Sequence, residues 1–370
     1  MKRKRILMIC PFPFLQDRGS PLLVYNCVSA LSEFGHEIDL LCFPLGRDPG
    51  VKNVHVHKVW RFTSHIPIGL SWSKPLYDIL LLFKAIGMRL RNQYDLVHGQ
   101  HIEGTLIGLL VKGKLPLYYT IHSLLSEEMK ITKVPGAGAL QKLFKVVEAI
   151  AYRAAAKIFP VSPSFLEVVG RYTDRQKCHF IPDVGPEAPI KTAIAEKIKA
   201  DFAGKVRFMY SGNLTVYQGI DLLLEAFRNI DAHLIIVGGS EDMVQHYRRL
   251  AERSGVHNAH FLGMQRAEDI PSYLAAADVL VSPRLEGSNI PSKLFTYIGM
   301  QKPIVLTDIP AHTQLEREAF LFCRTTPADL AAKLQSLLDD ETRSAYQQKV
   351  AHAARNFTWE AYKNKLAEVY

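Results

Sequence analysis

The chain has 370 residues, 48% of them hydrophobic and 22% charged, with a net charge of +9. This is the composition of an ordinary globular protein of about two domains, and it excludes a disordered, collagen-like or disulfide-stapled chain. No apolar run approaches the roughly 20 residues of a membrane span; the longest candidate, Ile79 to Phe83, is closed by Asp78 and Lys84. The five cysteines (Cys10, Cys27, Cys42, Cys178 and Cys323) form no C-x-x-C pair, which argues for a reducing cytoplasm and against a zinc site or a disulfide framework. The charge is uneven. Residues 1–185 hold 24 Lys and Arg against 14 Asp and Glu (+10), whereas residues 186–370 hold 21 against 22 (−1). A basic half points to an anionic partner (a lipid surface, a nucleic acid or a phosphorylated substrate) or to a solvated basic surface.

The first residues, Lys2 to Arg5 followed by Ile6 to Cys10, have the charge and apolar run of a signal-peptide start. Pro11 and Pro13 cut that run short and no small-residue cleavage site follows, so it reads as a first strand. Further strands are expected at Glu37–Cys42, Val54–Val59, Leu96–His98, Leu117–Ile121 and Ile158–Val161, with helical patterns at Pro21–Phe34 and Leu140–Ala156. Three prolines and a glycine between Ile181 and Pro189 have the composition of a linker. Beyond it, strands are expected at Val206–Ser211, Ala232–Val237, His260–Leu262, Val279–Ser282 and Pro303–Leu306. Helices are expected near Asp221–Asn229, Asp242–Ser254, Ile270–Ala276, Lys293–Met300 and Pro327–Leu338. Strands alternating with helices predict an α/β protein with two Rossmann-like, doubly wound parallel sheets facing a cleft. The expected domains are residues 1–185, joined by a C-terminal helix at about 356–370, and residues 186–355. Ligands of such sheets bind outside the carboxyl ends of the strands.

The densest polar segment sits at such an end. Ser282 to Lys293 carries Arg284, Glu286 and Lys293 around Gly287, Ser288, Asn289 and Ile290, between a strand and a helix. Cations and a helix N-terminus suit phosphate, and a short carboxylate accepts hydrogen bonds from sugar hydroxyls. The plainer alternative is a surface loop before a helix opened by Pro291. Tyr210 to Asp221 is a second strand-to-helix loop, with Gly212, Asn213, Gln218 and Gly219; Gly238 and Gly239 follow a third strand, Leu262 and Gly263 a fourth. Each glycine alone is an ordinary turn residue, but four such loops on one rim are what a nucleotide needs. Neither a G-x-G-x-x-G fingerprint nor a Walker lysine loop is present. In the first half, Gly19 follows strand one within Gln16 to Pro21, with Ser20 placed to cap the next helix. His122 ends the Leu117–Ile121 strand, where its ring could donate to a phosphate or sugar oxygen or serve only packing. His98 and His101 have metal-like spacing but no third ligand.

In this order the motifs resemble a GT-B glycosyltransferase of the large retaining group called family 4. The resemblance also draws on Gly35-His36-Glu37, Val161-Ser162, Ile181-Pro182-Asp183 and Phe357-Thr358-Trp359, and covers nearly the whole chain. It implies a retaining hexosyltransferase whose C-terminal domain holds a UDP- or GDP-linked sugar and whose N-terminal domain holds the acceptor, in glycoconjugate synthesis. It implies Glu286 on donor-sugar hydroxyls, His122 near the reacting centre, Gly19 beside the diphosphate, and no bound metal or other cofactor. Such enzymes commonly carry Arg and Lys where this chain has Asn213 and Gln218, and an acid near Leu294 or Thr296 that is absent here. Arg284 and Lys293 are the available replacements.

The basic half also suggests an anionic membrane. Trp72, Lys74, Leu76, Tyr77, Leu80, Leu81, Lys84, Met88, Arg89 and Arg91 mix apolar groups with cations; Lys130, Lys133, Lys142, Lys145, Arg153 and Lys157 add charge. This would place the protein on the inner face of the membrane beside a lipid-linked, sugar or other hydroxyl acceptor. No module for nucleic acid is present. The competing readings are a non-catalytic sugar-nucleotide binder and a nucleotide-sugar epimerase on a similar fold.

Overall fold

The computed structural model describes residues 2–15, 19–66, 73–126, 137–185 and 189–370, the side chains of residues 137–140 excepted. The chain divides into two compact units, Met1–Pro182 with Lys363–Tyr370, and Asp183–Tyr362.

The first unit is built on β1 (Arg5–Pro13), β2 (Glu37–Phe43), β3 (Val54–Lys58), β4 (Leu96–Gln100), β5 (Leu117–Ile121) and β6 (Lys157–Pro160). All pairings are parallel, in the order β3-β2-β1-β4-β5-β6. Ile6 to Cys10 are fully buried, as a strand covered on both faces requires, and their unbroken apolar run is its signature. The prolines do not end β1 as expected. The strand continues to Pro13 with a register shift after Cys10, because proline keeps an extended φ while removing a ladder donor.

Helices α1 (Gly19–Glu33), α2 (Ser73–Arg91), α3 (His101–Val111), α4 (Ala137–Ala154) and α5 (Ser164–Val169) flank this sheet. Helix α1 begins before Pro21, so Ser20 lies inside it rather than capping it from outside. It closes with Gly35 N–H on the Ser32 carbonyl (2.9 Å) and His36 N–H on the Leu31 carbonyl (3.0 Å), the paired bonds of a Schellman stop. Helix α3 lies flush on the sheet: a Cβ at Gly104 would stand 2.5 Å from the Ile9 carbonyl oxygen. Helix α2 turns Tyr77, Leu81, Ala85 and Met88 into the core, and the Lys84 ammonium donates to the Lys58 carbonyl (2.6 Å). Tyr77, Leu81, Lys84 and Met88 are therefore structural, which corrects their assignment to a surface. Trp72, Lys130 and Lys133 lie outside the described residues.

The second unit repeats the plan with β7 (Arg207–Ser211), β8 (His233–Val237), β9 (Ala259–Gly263), β10 (Val279–Ser282), β11 (Ile304–Thr307) and β12 (Leu321–Cys323). Their order is β12-β11-β10-β7-β8-β9, again all parallel. Its helices are α6 (Thr192–Asp201), α7 (Ile220–Phe227), α8 (Glu241–Arg253), α9 (Ile270–Ala275), α10 (Ser292–Gly299), α11 (Pro327–Ser336) and α12 (Asp340–Ala354). A last helix, α13 (Trp359–Val369), follows Phe357-Thr358, with the Thr358 hydroxyl accepting from Ala361 N–H at 3.1 Å. In each sheet the strand order reverses at one place, between β1 and β4 and between β7 and β10. At such a reversal the loops leave to opposite faces and open a crevice.

Candidate functional site

In the second unit, the loops after β7 and β10 meet at the reversal. A Cβ at Gly219 (φ +73°) would stand 2.0 Å from the Pro283 carbonyl oxygen, and Leu285 N–H donates to the Tyr217 carbonyl at 2.9 Å. The β8 loop closes on the β7 loop in the same way: a Cβ at Gly238 (φ +115°) would lie 2.1 Å from the Gly212 carbonyl oxygen. Only glycine fits there, for both backbone angle and space. Gly238 N–H donates to the Gly263 carbonyl (2.7 Å), so the loops after β7, β8 and β9 form one backbone rim.

Two cations stand on this rim. Lys293, in the first turn of α10, donates to Gln218 Oε1 at 2.8 Å and lies 4.0 Å from the centre of the Tyr210 ring. Gln218 Oε1 is also 3.1 Å from the Tyr210 hydroxyl. The Arg284 guanidinium lies over Gly287, with Nε donating to the Glu286 carbonyl (2.7 Å), 5.3 Å from the Tyr217 ring centre. Burial pushes the Lys293 ammonium well below the ordinary lysine range, and the Arg284 charge adds to the push. Burial also lowers Arg284, against the attraction of Tyr217, Tyr210 and Glu286. No carboxylate forms an ion pair with either cation among the described residues. This half-buried positive charge therefore favours an anion, aided by the N-terminus of α10.

The other expected residues divide into supports and outliers. Glu286 is exposed beside Arg284. Asn213 folds its own turn, its Oδ1 accepting from the Thr215 hydroxyl at 2.7 Å. Gly239 packs on Leu214, the Leu262 carbonyl accepts from Gln265 (2.8 Å) and the Ser288 carbonyl from Gln314 (2.7 Å). Ile290 is buried and Asn289 half-buried. Thr296 lies mid-helix in α10, buried against the Gly185 backbone. The residues beneath Arg284 carry no local sequence signal. Buried His312 has Nδ1 at 2.9 Å from the Thr307 carbonyl and Nε2 at 3.2 Å from the Ser282 hydroxyl, while the Thr307 hydroxyl donates to the Arg284 carbonyl. Burial lowers His312 to about 4, so it is a neutral brace.

In the first unit, His122 is buried where β5 ends, beside the end of β4. Its Nε2 is 2.8 Å from Gln100 Oε1, and its ring stacks on His101 at 4.4 Å. His101 has a left-handed backbone (φ +57°), uncommon for a residue with a side chain and frequent at functional sites. Phe12, from β1, meets the His122 ring edge-on at 6.0 Å. His98 is not a candidate metal ligand: its Nε2 is 2.8 Å from the Thr120 hydroxyl, and its Nδ1 is bonded by the Tyr370 hydroxyl. Gly19 opens α1, and Gln16 to Arg18 lie outside the described residues.

Two family models match: residues 205–340 fit glycosyl transferases group 1, and residues 18–183 fit Glycosyltransferase Family 4. The chain belongs to the family 4, group 1 glycosyltransferases, and its two Rossmann-like units are the GT-B fold. A D-inositol 3-phosphate glycosyltransferase of Corynebacterium diphtheriae is 28% identical over 181 residues, 44% of this chain and 41% of the relative. A phosphatidyl-myo-inositol mannosyltransferase of Mycobacterium leprae is 24% identical over 164 residues, 41% of this chain and 42% of the relative. The chain thus matches about two fifths of the length of these curated relatives. A sucrose-phosphate synthase from Thermosynechococcus elongatus superposes with a TM-score of 0.79 at 18% identity, covering 100% of this chain and 98% of the other. Anabaena HepE in complex with UDP-glucose gives 0.72 at 16% identity, covering 99% of both.

Proposed function

We propose that the protein is a retaining hexosyltransferase that moves a sugar from a nucleoside-diphosphate sugar to an acceptor hydroxyl in glycoconjugate synthesis. The observation that carries this reading is the Arg284–Lys293 pair, half-buried and, among the described residues, without a carboxylate ion pair, on a glycine rim at the β7/β10 reversal. In this reading the two cations and the amides of the 287–290 loop take the diphosphate charge in place of a metal ion. Glu286 accepts from donor-sugar hydroxyls, His122 serves the reacting centre, and Gly19 lies beside the diphosphate. As the sugar–oxygen bond breaks, the leaving diphosphate takes the proton of the incoming hydroxyl, and Arg284 and Lys293 stabilise its charge. HepE bound to UDP-glucose supports a nucleotide sugar as donor. The names of the curated relatives support an inositol-bearing or lipid-linked acceptor.

A lipid-linked acceptor fits a second feature. Helix α2 points Leu76, Ile79, Phe83, Ile86 and Leu90 outward, Leu90 being 82% exposed. Helix α3 packs against α2 and α4 and exposes Leu110, and α4 exposes Leu143, Val146 and Ile150. Every exposed charge on these three helices is a cation: Arg91, Lys142, Lys145 and Arg153. Apolar groups ringed by positive charge alone complement an anionic bilayer. No helix among the described residues is long and apolar enough to cross one.

The test is release of nucleoside diphosphate from a panel of UDP- and GDP-sugars with inositol and lipid-linked acceptors, followed by NMR of the product anomer. Transfer with retention is expected; inversion overturns the mechanism, and binding without turnover turns the reading into that of a non-catalytic binder. Flotation with phosphatidylglycerol vesicles should show salt-sensitive binding that Phe83→Glu with Leu90→Glu abolishes. Binding that the pair leaves intact would refute the docking face.

A further inference from the structure

Five side chains of the first unit form one hydrogen-bonded network. The Tyr370 hydroxyl bonds His98 Nδ1. His98 Nε2 lies 2.8 Å from the Thr120 hydroxyl and 3.3 Å from Gln100 Nε2, and Gln100 Oε1 lies 2.8 Å from His122 Nε2. At the far end His122 Nδ1 is buried and has no hydrogen-bond partner among the described residues.

Two proton arrangements satisfy this network. In the first, His98 carries its proton on Nδ1 and accepts at Nε2 from Thr120 and the Gln100 amide. Gln100 Oε1 then accepts from His122 Nε2–H, and His122 Nδ1 is a bare lone pair. In the second, the Gln100 amide is reversed, every proton shifts, and His122 Nδ1 carries an N–H with nothing to receive it. Buried orphan N–H groups are the rarer and costlier defect, whereas an unused acceptor is tolerated. The observed amide orientation is the first arrangement. Stacking on His101 and the edge of Phe12 fix the ring plane.

We propose that Gln100, oriented by His98 and Tyr370, is a positioning residue that holds His122 as the Nε2–H tautomer and so makes Nδ1 an acceptor for a substrate hydroxyl. The role at substrate rests on the proposed transferase reading; the tautomer does not. Burial, with His101 and His98 as neighbours, keeps the His122 imidazole neutral by lowering its pKa far below the ordinary range. The sequence had allowed His122 to donate to a phosphate or sugar oxygen; in this arrangement its open atom accepts instead. A hydroxyl meeting that lone pair is preferred over a deoxy carbon, which would leave the acceptor buried and unused.

The test is two-bond 1H–15N NMR of the full chain labelled at histidine, which reads the tautomer without substrate. His122 is expected in the Nε2–H pattern in the wild type. Gln100→Glu, whose carboxylate also accepts from Nε2–H, should keep that pattern, and Gln100→Leu should lose it. An Nδ1–H pattern in the wild type, or no change in Gln100→Leu, overturns the assignment. In the transfer assay Gln100→Leu should lower kcat/KM by roughly 3- to 10-fold, one hydrogen bond's worth, and Gln100→Glu should recover part of it. A lost tautomer with unchanged transfer overturns the substrate role of Nδ1 and leaves the tautomer assignment standing.

Discussion

Replacing Lys293 by methionine should separate stability from ligand binding, because the two respond with opposite sign. The ammonium is half-buried, donates to Gln218 and lies beside Arg284 rather than an acid. Methionine matches its length, removes the desolvated charge and leaves Gln218 Oε1 to the Tyr210 hydroxyl. The loss of the cation–π contact, about 0.5–2 kcal/mol, opposes the gain from removing a partly desolvated charge that has no ion pair. The nucleotide-free protein should therefore unfold within about 1 kcal/mol of wild type, or at higher stability. A charged hydrogen bond to phosphate contributes about 1.5–3 kcal/mol, so the dissociation constant for a nucleoside diphosphate should rise roughly 10- to 150-fold. Urea denaturation and titration calorimetry with UDP and GDP measure both. Affinity within threefold of wild type would refute the placement of the diphosphate. A stability loss beyond about 2 kcal/mol would refute the account of an unpaired charge.

The same lysine sets a pH dependence. Burial lowers its folded pKa below the ordinary lysine value of 10.5, so stability rises as pH climbs through the folded value toward 10.5, while diphosphate affinity falls. Lys293→Arg should remove that alkaline loss of affinity, and persistence of the loss would exclude Lys293 as its source. Arg284→Ala should lower turnover by about 10²-fold or more with a smaller effect on nucleotide affinity, as for loss of a preorganised donor; wild-type kcat would show that the role is wrong. Gly238→Ala forces a Cβ within 2.1 Å of the Gly212 carbonyl oxygen and should cost about 1–3 kcal/mol together with nucleotide binding. An unchanged denaturation midpoint would show that the loops part freely. Asp39 is buried; burial alone would raise its carboxyl, but hydrogen bonds from His57, Tyr94 and Arg5 outweigh that and hold it at about 2, against an ordinary 3.8. A depressed carboxylate stabilises above its unfolded pKa, so about 2 kcal/mol should be lost as pH falls from 4 toward 2. Asp39→Asn should flatten that slope, and equal slopes would refute the assignment.

The parallel sheets were legible because strands covered on both faces read as unbroken apolar runs, as Ile6–Cys10 and Val279–Val281 do. The edge strand Leu321–Cys323 was missed: three residues, one of them half-buried, leave no run to detect. Helix α2 was visible only as a mixture of apolar and basic residues. Burial of Tyr77, Leu81, Ala85 and Met88 divides it into a core face and an outward stripe. The residues of the phosphate rim were legible because glycines and cations cluster at strand ends. Their partners were not, since Lys293 meets Gln218 across 75 residues and His122 meets Gln100 across 22. Such pairs follow from strand order, and His312 sends no local signal at all. The substitution of Gln218 for a cation now has a physical reading: it supplies the carbonyl that holds the Lys293 ammonium.

The most direct measurement is the thermal unfolding of the full chain with nucleoside diphosphates and their sugars. A ligand at 100 times its dissociation constant adds about 2.7 kcal/mol, a rise in Tm of roughly 5–10 °C for a domain of this size. The account predicts that rise for one base series, reduced in Lys293→Met. No rise with any nucleotide, at concentrations up to several millimolar, would contradict it.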